Sequence, residues 1–210
     1  MAIDTPSQKK TGQPAWEIAH LFPLQGAWSE ADYLALETNH FVEFSDGNIE
    51  VLPMPSERHQ DIVIYLFSLL RAFVTKERLG KVLIPPFRIR LRAEKYREPD
   101  VMFMLRENSH KRTDQYWHGA DLVMEVVSPD DPKRDTEVKL KEYAQAGIAE
   151  YWLINPLTEE ITVYTLEQDA DAYRVHNEVT AEGVAHSALL ERFAVDAAEV
   201  FAAGEDDTDT

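Results

Sequence analysis

Apolar positions recur along this chain with two periods, and the switch between them marks out its elements. In "SERHQDIVIYLFSLLRAFVTKERLG" the apolar residues Ile62, Leu66, Leu69, Leu70 and Phe73 fall three and four apart, which predicts a helix with one buried face that Gly80 is suited to end. "FRIRLR" instead alternates, with Phe87, Ile89 and Leu91 on one side, and predicts a half-buried strand. "KVLIP", "PDVMFML" and "DLVMEVVS" predict further strands, and "PDVMFML", apolar on both faces, belongs in the middle of a sheet. Upstream, "WSEADYLALE" predicts a short helix capped by Ser29 and burying Tyr33, Leu34 and Leu36, and "HFVEFSDGNIEVLPM" a hairpin turning at Asp46-Gly47. Downstream, "DPKRDTEVKLKEYAQAG" predicts a helix starting near Asp131-Pro132, ending at Gly147 and burying Leu140, Ala144 and Gly147. "EYWLINP", "EEITVYTL" and "AYRVHNEVT" predict a closing β-meander, and "VDAAEVFA" a short terminal helix. Residues 1–14 are polar and expected to be a flexible lead-in, and the acidic tail 204–210, "GEDDTDT", is expected to be disordered. Residues 15–203 are expected to form a single α/β or α+β domain around one sheet.

Composition narrows the setting. The 210 residues, 44% hydrophobic and 28% charged, can bury one substantial core. The longest apolar run, "IVIYLFSLL", is far shorter than the roughly 20 residues a bilayer requires, and no hydrophobic leader opens the chain, so the expected location is the cytoplasm, away from membranes. With no cysteine, any metal must be held by oxygen or imidazole. A net charge of -17 argues against a phosphate-rich partner, yet Arg71 to Arg97 holds nine Lys and Arg against two Glu, a balance of +7. Arg106, Lys111 and Arg112 follow. This basic block is either a solvated strand face or a guide for phosphates.

One residue breaks the apolar pattern of "DLVMEVVS". Glu125 lies among Leu122, Val123, Met124, Val126 and Val127, where an unpaired carboxylate loses its hydration at a cost of several kcal/mol. Asp100, 25 residues earlier, opens the strand "DVMFML", a spacing that allows an outgoing strand, a loop and a return strand bringing the two carboxylates face to face. Two carboxylates with a backbone carbonyl beside them suit Mg2+, which keeps several waters and takes few protein ligands. Lys139, fourteen positions after Glu125, lies on the next predicted helix with Tyr143 at i+4, where its ammonium could balance the carboxylates, orient a water or stabilise a charged phosphoryl group.

Together, "EFSDGNIEVLPMPSERHQ", "REPDVMFM", "DLVMEVVSPDD" and "RDTEVKLKEYAQAGIAEYWLINP" resemble the Uma-two restriction endonuclease family, a branch of the PD-(D/E)XK nuclease superfamily, over about Ser29 to Phe201. The resemblance implies a restriction-endonuclease-like fold, a mixed β-sheet core flanked by helices with an N-terminal hairpin and a C-terminal meander. It also implies Mg2+-dependent endonucleolytic hydrolysis of DNA, with Mn2+ able to substitute. Pro99-Asp100 matches the PD element and Glu125-Val126-Val127 the (D/E)XK element, with the lysine displaced to Lys139 and the Val126 carbonyl as a further metal ligand. Glu43 matches an acidic residue near the metal. His59 and Gln60 match an "RHQ" element where the imidazole is expected to cap or pack, with a phosphate or Glu43 as alternative contacts. Arg88 and Arg90 are candidate substrate contacts, Tyr143 a supporting residue, and a two-strand cut of duplex DNA would favour a homodimer. Asn48 stands where the family commonly has Glu, which removes an acidic contact. Two rival readings stay open: a catalytically silent nuclease-like domain that binds nucleic acid or a protein partner, and a site-free acidic protein in which Glu125 is paired internally, for example to an arginine.

Overall fold

The apolar strands gather into one sheet and the charged ones into another. A computed structural model describes residues 22–38 and 40–205; the lead-in predicted over 1–14, and the acidic tail from residue 206 onward, lie outside the described residues. The first half of the chain forms α1 (Glu30–Leu34), β1 (Val42–Ser45), β2 (Asn48–Val51), α2 (Glu57–Glu77), β3 (Gly80–Leu83), β4 (Arg88–Arg92), β5 (Lys95–Arg97) and β6 (Val101–Leu105). After a 3-10 turn (Ser109–Lys111) come β7 (Tyr116–His118), β8 (Leu122–Val126), a π-helical turn (Arg134–Lys139), α3 (Leu140–Gln145), β9 (Glu150–Asn155), β10 (Glu160–Thr165) and β11 (Arg174–Thr180). β12 (Val184–His186), β13 (Ala194–Asp196) and α4 (Ala197–Ala202) close the described chain.

Six strands in the order β11-β10-β9-β8-β6-β3 make the main sheet, and five in the order β2-β1-β5-β4-β7 make a second, so the single sheet expected from the sequence is divided, with β12-β13 as a separate pair. The main sheet is mixed, with β6 antiparallel and β9 parallel to β8. Parallel pairing demands a crossover, which the π-turn and α3 supply. Both faces of β6 and β8 are covered. On one, Ile62, Leu66, Leu70 and Val74 of α2 pack with Val101, Phe103, Leu122, Met124 and Val126. On the other, Met102, Met104, Val123 and Val127 meet Tyr143 together with Ile89 and Trp117 of the second sheet. Strand alternation therefore turns Glu125 to the side of α3, with Val123 and Val127.

Local signals account for much of this. Ser29 caps α1 in a reciprocal capping box with Asp32. Asp46 and Gly47, at φ 49° and 80°, turn the β1-β2 hairpin as predicted. The end of α2 differs from expectation: Arg78, at φ 57°, is its left-handed cap, and Gly80 instead starts β3. Gly80 is required there by close approach, since a Cβ would lie 2.0 Å from the Met104 carbonyl oxygen. The helix predicted after β8 winds first as a π-turn and then as α3, and Gly147 ends it at φ 73°. Its buried face is Asp135, Lys139, Tyr143 and Ala144; Leu140 is half-buried and Gly147 exposed, because the sheet below offers a carboxylate for Lys139 to meet. Among the described residues no helix is long and apolar enough to cross a membrane.

The C-terminal segment is tied to the sheet through Glu150, which is wholly buried without a cation. Its Oε1 accepts from Trp152 Nε1 at 2.6 Å and Ser187 Oγ at 2.7 Å, and its Oε2 from the Ala188 and Leu189 N–H groups, each at 2.7 Å. Glu150→Gln turns an acceptor into a donor facing these N–H groups. We expect a loss of about 2–4 kcal/mol in urea unfolding.

Candidate active site

Asp100 stands one residue before β6, and the antiparallel register that pairs Val101 with Met124 continues to place it opposite Glu125. The Val126 N–H donates to Asp100 Oδ2 at 2.8 Å, which fixes the Asp100 carboxylate against the end of β8. Glu125 is 1% exposed and the Asp100 side chain 18%, so the pair runs from the protein interior to its surface. Lys139 Nζ lies 2.9 Å from Glu125 Oε2 and 2.9 Å from Asp135 Oδ1, and the Tyr143 hydroxyl donates to Glu125 Oε1. Asp135, Lys139 and Tyr143 are thus successive i, i+4 residues on one buried face. Glu125 is paired internally, but to a lysine and a tyrosine rather than to an arginine.

His59, in the first turn of α2, reaches the same point from the other side of the sheet. Its Nε2 is 3.3 Å from Asp100 Oδ2 and 3.1 Å from the Val126 carbonyl oxygen, so it touches Asp100 and not Glu43, and does more than cap the helix. Gln60 is exposed, with its backbone N–H on the Ser56 carbonyl at 3.0 Å.

Glu43 is wholly buried on β1. Its Oε1 accepts from the Glu98 N–H at 3.1 Å and its Oε2 from Arg97 at 3.0 Å and from Arg134, which also pairs with Glu50. Arg97 further holds Glu142 of α3 through Nε at 2.8 Å and NH2 at 3.1 Å. This alternating set joins the hairpin, β5 and the π-turn around the back of the Lys139 cluster. Both oxygens of Glu43 are engaged by protein donors, so it orders the wall of the site.

Arg88 and Arg90 are not brought to these carboxylates. Arg90 is bonded to Glu30 of α1 at 2.8 to 3.1 Å, and the Arg88 guanidinium lies 4.8 Å from the centre of the Tyr33 ring. Arg92 pairs with Asp46 and Lys95 with Glu142. The half of the basic block from Arg88 to Arg97 is therefore engaged by neighbouring acids or aromatic rings and is not grouped beside the carboxylates.

The electrostatics follow from burial. Burial, with the like charges of Asp100 and Asp135 adding to it, pushes Glu125 up to about 8 against the pull of Lys139. Burial also raises Asp135 despite Lys139. At Lys139 burial disfavours the ammonium, but Glu125, Asp135, Glu43 and Asp100 outweigh it and hold the lysine charged well above its usual range. At Asp100 burial is overcome by His59 and Lys139, which hold the carboxylate below its usual value. At His59 burial is likewise outweighed, by the hydrogen bond and charge of Asp100, and its pKa rises. Glu98, whose Oε2 is buried without a partner, is pushed up to about 8 chiefly by burial.

Sequence reasoning missed Asp135, Arg97, Arg134 and Glu142. Asp135 had a signal, four residues before Lys139 on the same predicted helix, but the apolar residues Leu140 and Ala144 directed attention to another face.

Donor chemistry decides what this edge could hold. Among the described residues Asp100 Oδ1 carries no protein hydrogen bond, each Glu125 oxygen accepts one donor and retains a lone pair, and the Val126 carbonyl lies beside them. Among the described residues no group of three or more His, Asp or Glu side chains is placed to hold an ion. A cation here would be bound by two carboxylates, a carbonyl and water, a hard-oxygen set that fits Mg2+ or Mn2+.

The described residues form a mixed α+β core, with mixed sheets flanked by few helices. A solved structure of similar fold is that of a putative nuclease belonging to DUF820 from Anabaena variabilis, at a TM-score of 0.68 and 17% identity, with 85% of this chain and 99% of that chain covered. The chain belongs to the Uma2 family, described as "Putative restriction endonuclease", whose model matches residues 30–198. No curated protein matches the sequence.

Glu125 holds its proton more tightly in the folded chain, at about 8, than at its ordinary 4.5. Its protonation therefore stabilises the fold fully below about pH 4.5, and that gain is lost as the pH rises through about 8. Urea midpoints of the metal-free protein should fall relative to those of Glu125→Gln between pH 5 and 8; a constant difference between the two would contradict this.

Proposed function

We propose that this protein is a divalent-metal-dependent endonuclease that hydrolyses phosphodiester bonds of DNA at Asp100, Glu125 and Lys139. The observation that carries the reading is the buried Glu125 carboxylate, opposite Asp100 on adjacent strands and 2.9 Å from Lys139 Nζ. Membership of a restriction endonuclease family supports the reaction class.

Asp100, Glu125 and the Val126 carbonyl would hold Mg2+ or Mn2+. When bound, such an ion polarises the scissile phosphate and lowers the pKa of a water molecule. Lys139 directs two of its three N–H donors to Glu125 and Asp135, leaving one for the attacking water or a phosphate oxygen, where its fixed positive charge offsets the negative charge that develops. Because the lysine stays protonated, it orients and stabilises rather than removing a proton. Tyr143 keeps the Glu125 carboxylate in one rotamer, and Asp135 does the same for the Lys139 ammonium. The apolar walls of β6 and β8 exclude bulk water from the Glu125 side, while Asp100 remains open to an incoming phosphate.

Glu125→Gln and Asp100→Asn should abolish metal-stimulated nicking of supercoiled DNA with circular dichroism unchanged, and Lys139→Gln should slow it about 10²- to 10³-fold. Nicking by Glu125→Gln at the wild-type rate would defeat the assignment, whereas DNA binding without cleavage by wild type in Mg2+ or Mn2+ would favour the silent-domain reading. Glu125 would have to give up its proton to hold a metal ion, so calorimetric Mn2+ affinity should rise with pH and level off above about 8, with proton release at lower pH.

A further inference from the structure

Apart from Arg71, which lies 5.5 Å from the centre of the Phe67 ring, the cations of the basic block divide into two sets with different fates. Arg88, Arg90, Arg92, Lys95 and Arg97 lie against acids or aromatic rings, as described above. Lys76, Arg78 and Lys81 are exposed, as are Arg106 and Lys111 of the following cluster, and none of the five joins an ion pair among the described residues.

The fold brings these five to one place. Lys81 on the edge strand β3 pairs in register with Met104, and Gly80 with Leu105. The Arg106 N–H donates to the Leu79 carbonyl at 2.7 Å, which sets Arg106 beside the Arg78 cap of α2, and Lys76 lies in the last turn of that helix. Lys111 belongs to the 3-10 turn, which Arg112 ties to the end of β6 through the Met104 and Leu105 carbonyls at 2.8 and 3.1 Å. Nearby acids are largely engaged: Glu77 by Arg192 at 3.1 Å, and Asp121 by the Leu105 N–H at 2.7 Å and Asn108 at 2.6 Å, while Glu107 is exposed.

We propose that Lys76, Arg78, Lys81, Arg106 and Lys111 form a docking surface for the sugar–phosphate backbone of duplex DNA, at the opposite end of β6 from Asp100. The choice of DNA rests on the nuclease reading above. On a chain of net charge -17 most of the surface repels a phosphate backbone, so five cations without an ion-pair partner among the described residues, grouped at this end of β3 and β6, set both where the duplex lands and how it is oriented. Asp100 and Arg106 bracket β6, and at ~3.3 Å per strand residue they are separated by roughly 20 Å. With duplex phosphates on each strand advancing 3.4 Å per base pair, that spans about six base pairs between the anchored backbone and the carboxylates. Helix α2 runs the same course, from His59 at Asp100 to Arg78 beside Arg106, and forms a rigid spacer between the two ends. The competing role for these residues is protection of β3, the edge strand of the main sheet among the described residues, a common use of lysine on edge strands.

The two roles separate by measuring binding of a 20-base-pair duplex to the full chain in EDTA across a salt series, for wild type, Lys81→Gln/Arg106→Gln and Lys81→Glu/Arg106→Glu. If the surface binds DNA, the Gln pair lowers the slope of log K against log salt by about 2 and the Glu pair weakens binding at least tenfold. Mn2+-dependent hydrolysis of bis(p-nitrophenyl) phosphate, too small to reach the surface, stays at the wild-type rate. Unchanged slope and affinity in both pairs, or no duplex binding by wild type, overturns the proposal. A wild type that binds the duplex through these residues yet hydrolyses neither substrate keeps the surface and overturns the nuclease reading instead.

Discussion

The Lys139 ammonium stands between two buried carboxylates, Glu125 and Asp135, at 2.9 Å from each, and much of the molecule is arranged so that it can. None of the three groups would be tolerated there alone, because a buried charge without its partner destabilises a fold by about 3–5 kcal/mol. Strand β8 must present Glu125 on the face covered by α3, and the parallel β8-β9 crossover must lay the π-turn and α3 over that face. The hairpin and β5 then close the back through Glu43, Arg97, Arg134 and Glu142. The result is layers of alternating charge in which each ion faces one of opposite sign.

These layers do not balance completely, and the imbalance has a direction. Burial and mutual repulsion raise Glu125 and Asp135, while Lys139, set between them, is held charged. The edge facing Asp100 is thus richer in carboxylate than in cation, the condition in which a divalent ion gains most from binding. Positive charge is distributed differently elsewhere. In the second sheet it is paired off to hold β1, β4, β5 and α1 together, and at the β3 edge it is left open to solvent. A basic block continuous in sequence is therefore split between two environments in space.

The parts legible in the sequence are those whose signals are local and repeated. The apolar period of α2, the Asp46-Gly47 turn, the Ser29 cap and the apolar runs of β6, β8 and β9 all appear as expected. The pairing of Asp100 with Glu125 was also legible, since the spacing of two strands and a loop constrains which ends can meet. Strands β5, β7, β12 and β13, of three residues each, carry too few positions to show a period. The left-handed Arg78 cap was hidden because a glycine two residues later offered the stronger local signal, although a close contact with β6 is what requires that glycine.

By itself the sequence determined that a charged residue in an apolar strand needs a compensating partner, that Asp100 and Lys139 were in range to meet it, and that the chain resembles a nuclease family. Tertiary structure decided which partners each charge took. It assigned Asp135 and Tyr143 to the Lys139–Glu125 pair, His59 to Asp100, two arginines to Glu43, and Arg88 and Arg90 to α1 rather than to the carboxylates. The reason is the range of the forces involved. Backbone propensity and hydrophobic periodicity act between near neighbours and are written in short stretches of chain, whereas charge pairing in a dry interior depends on a few ångströms between groups up to 91 residues apart, as in Arg134 and Glu43.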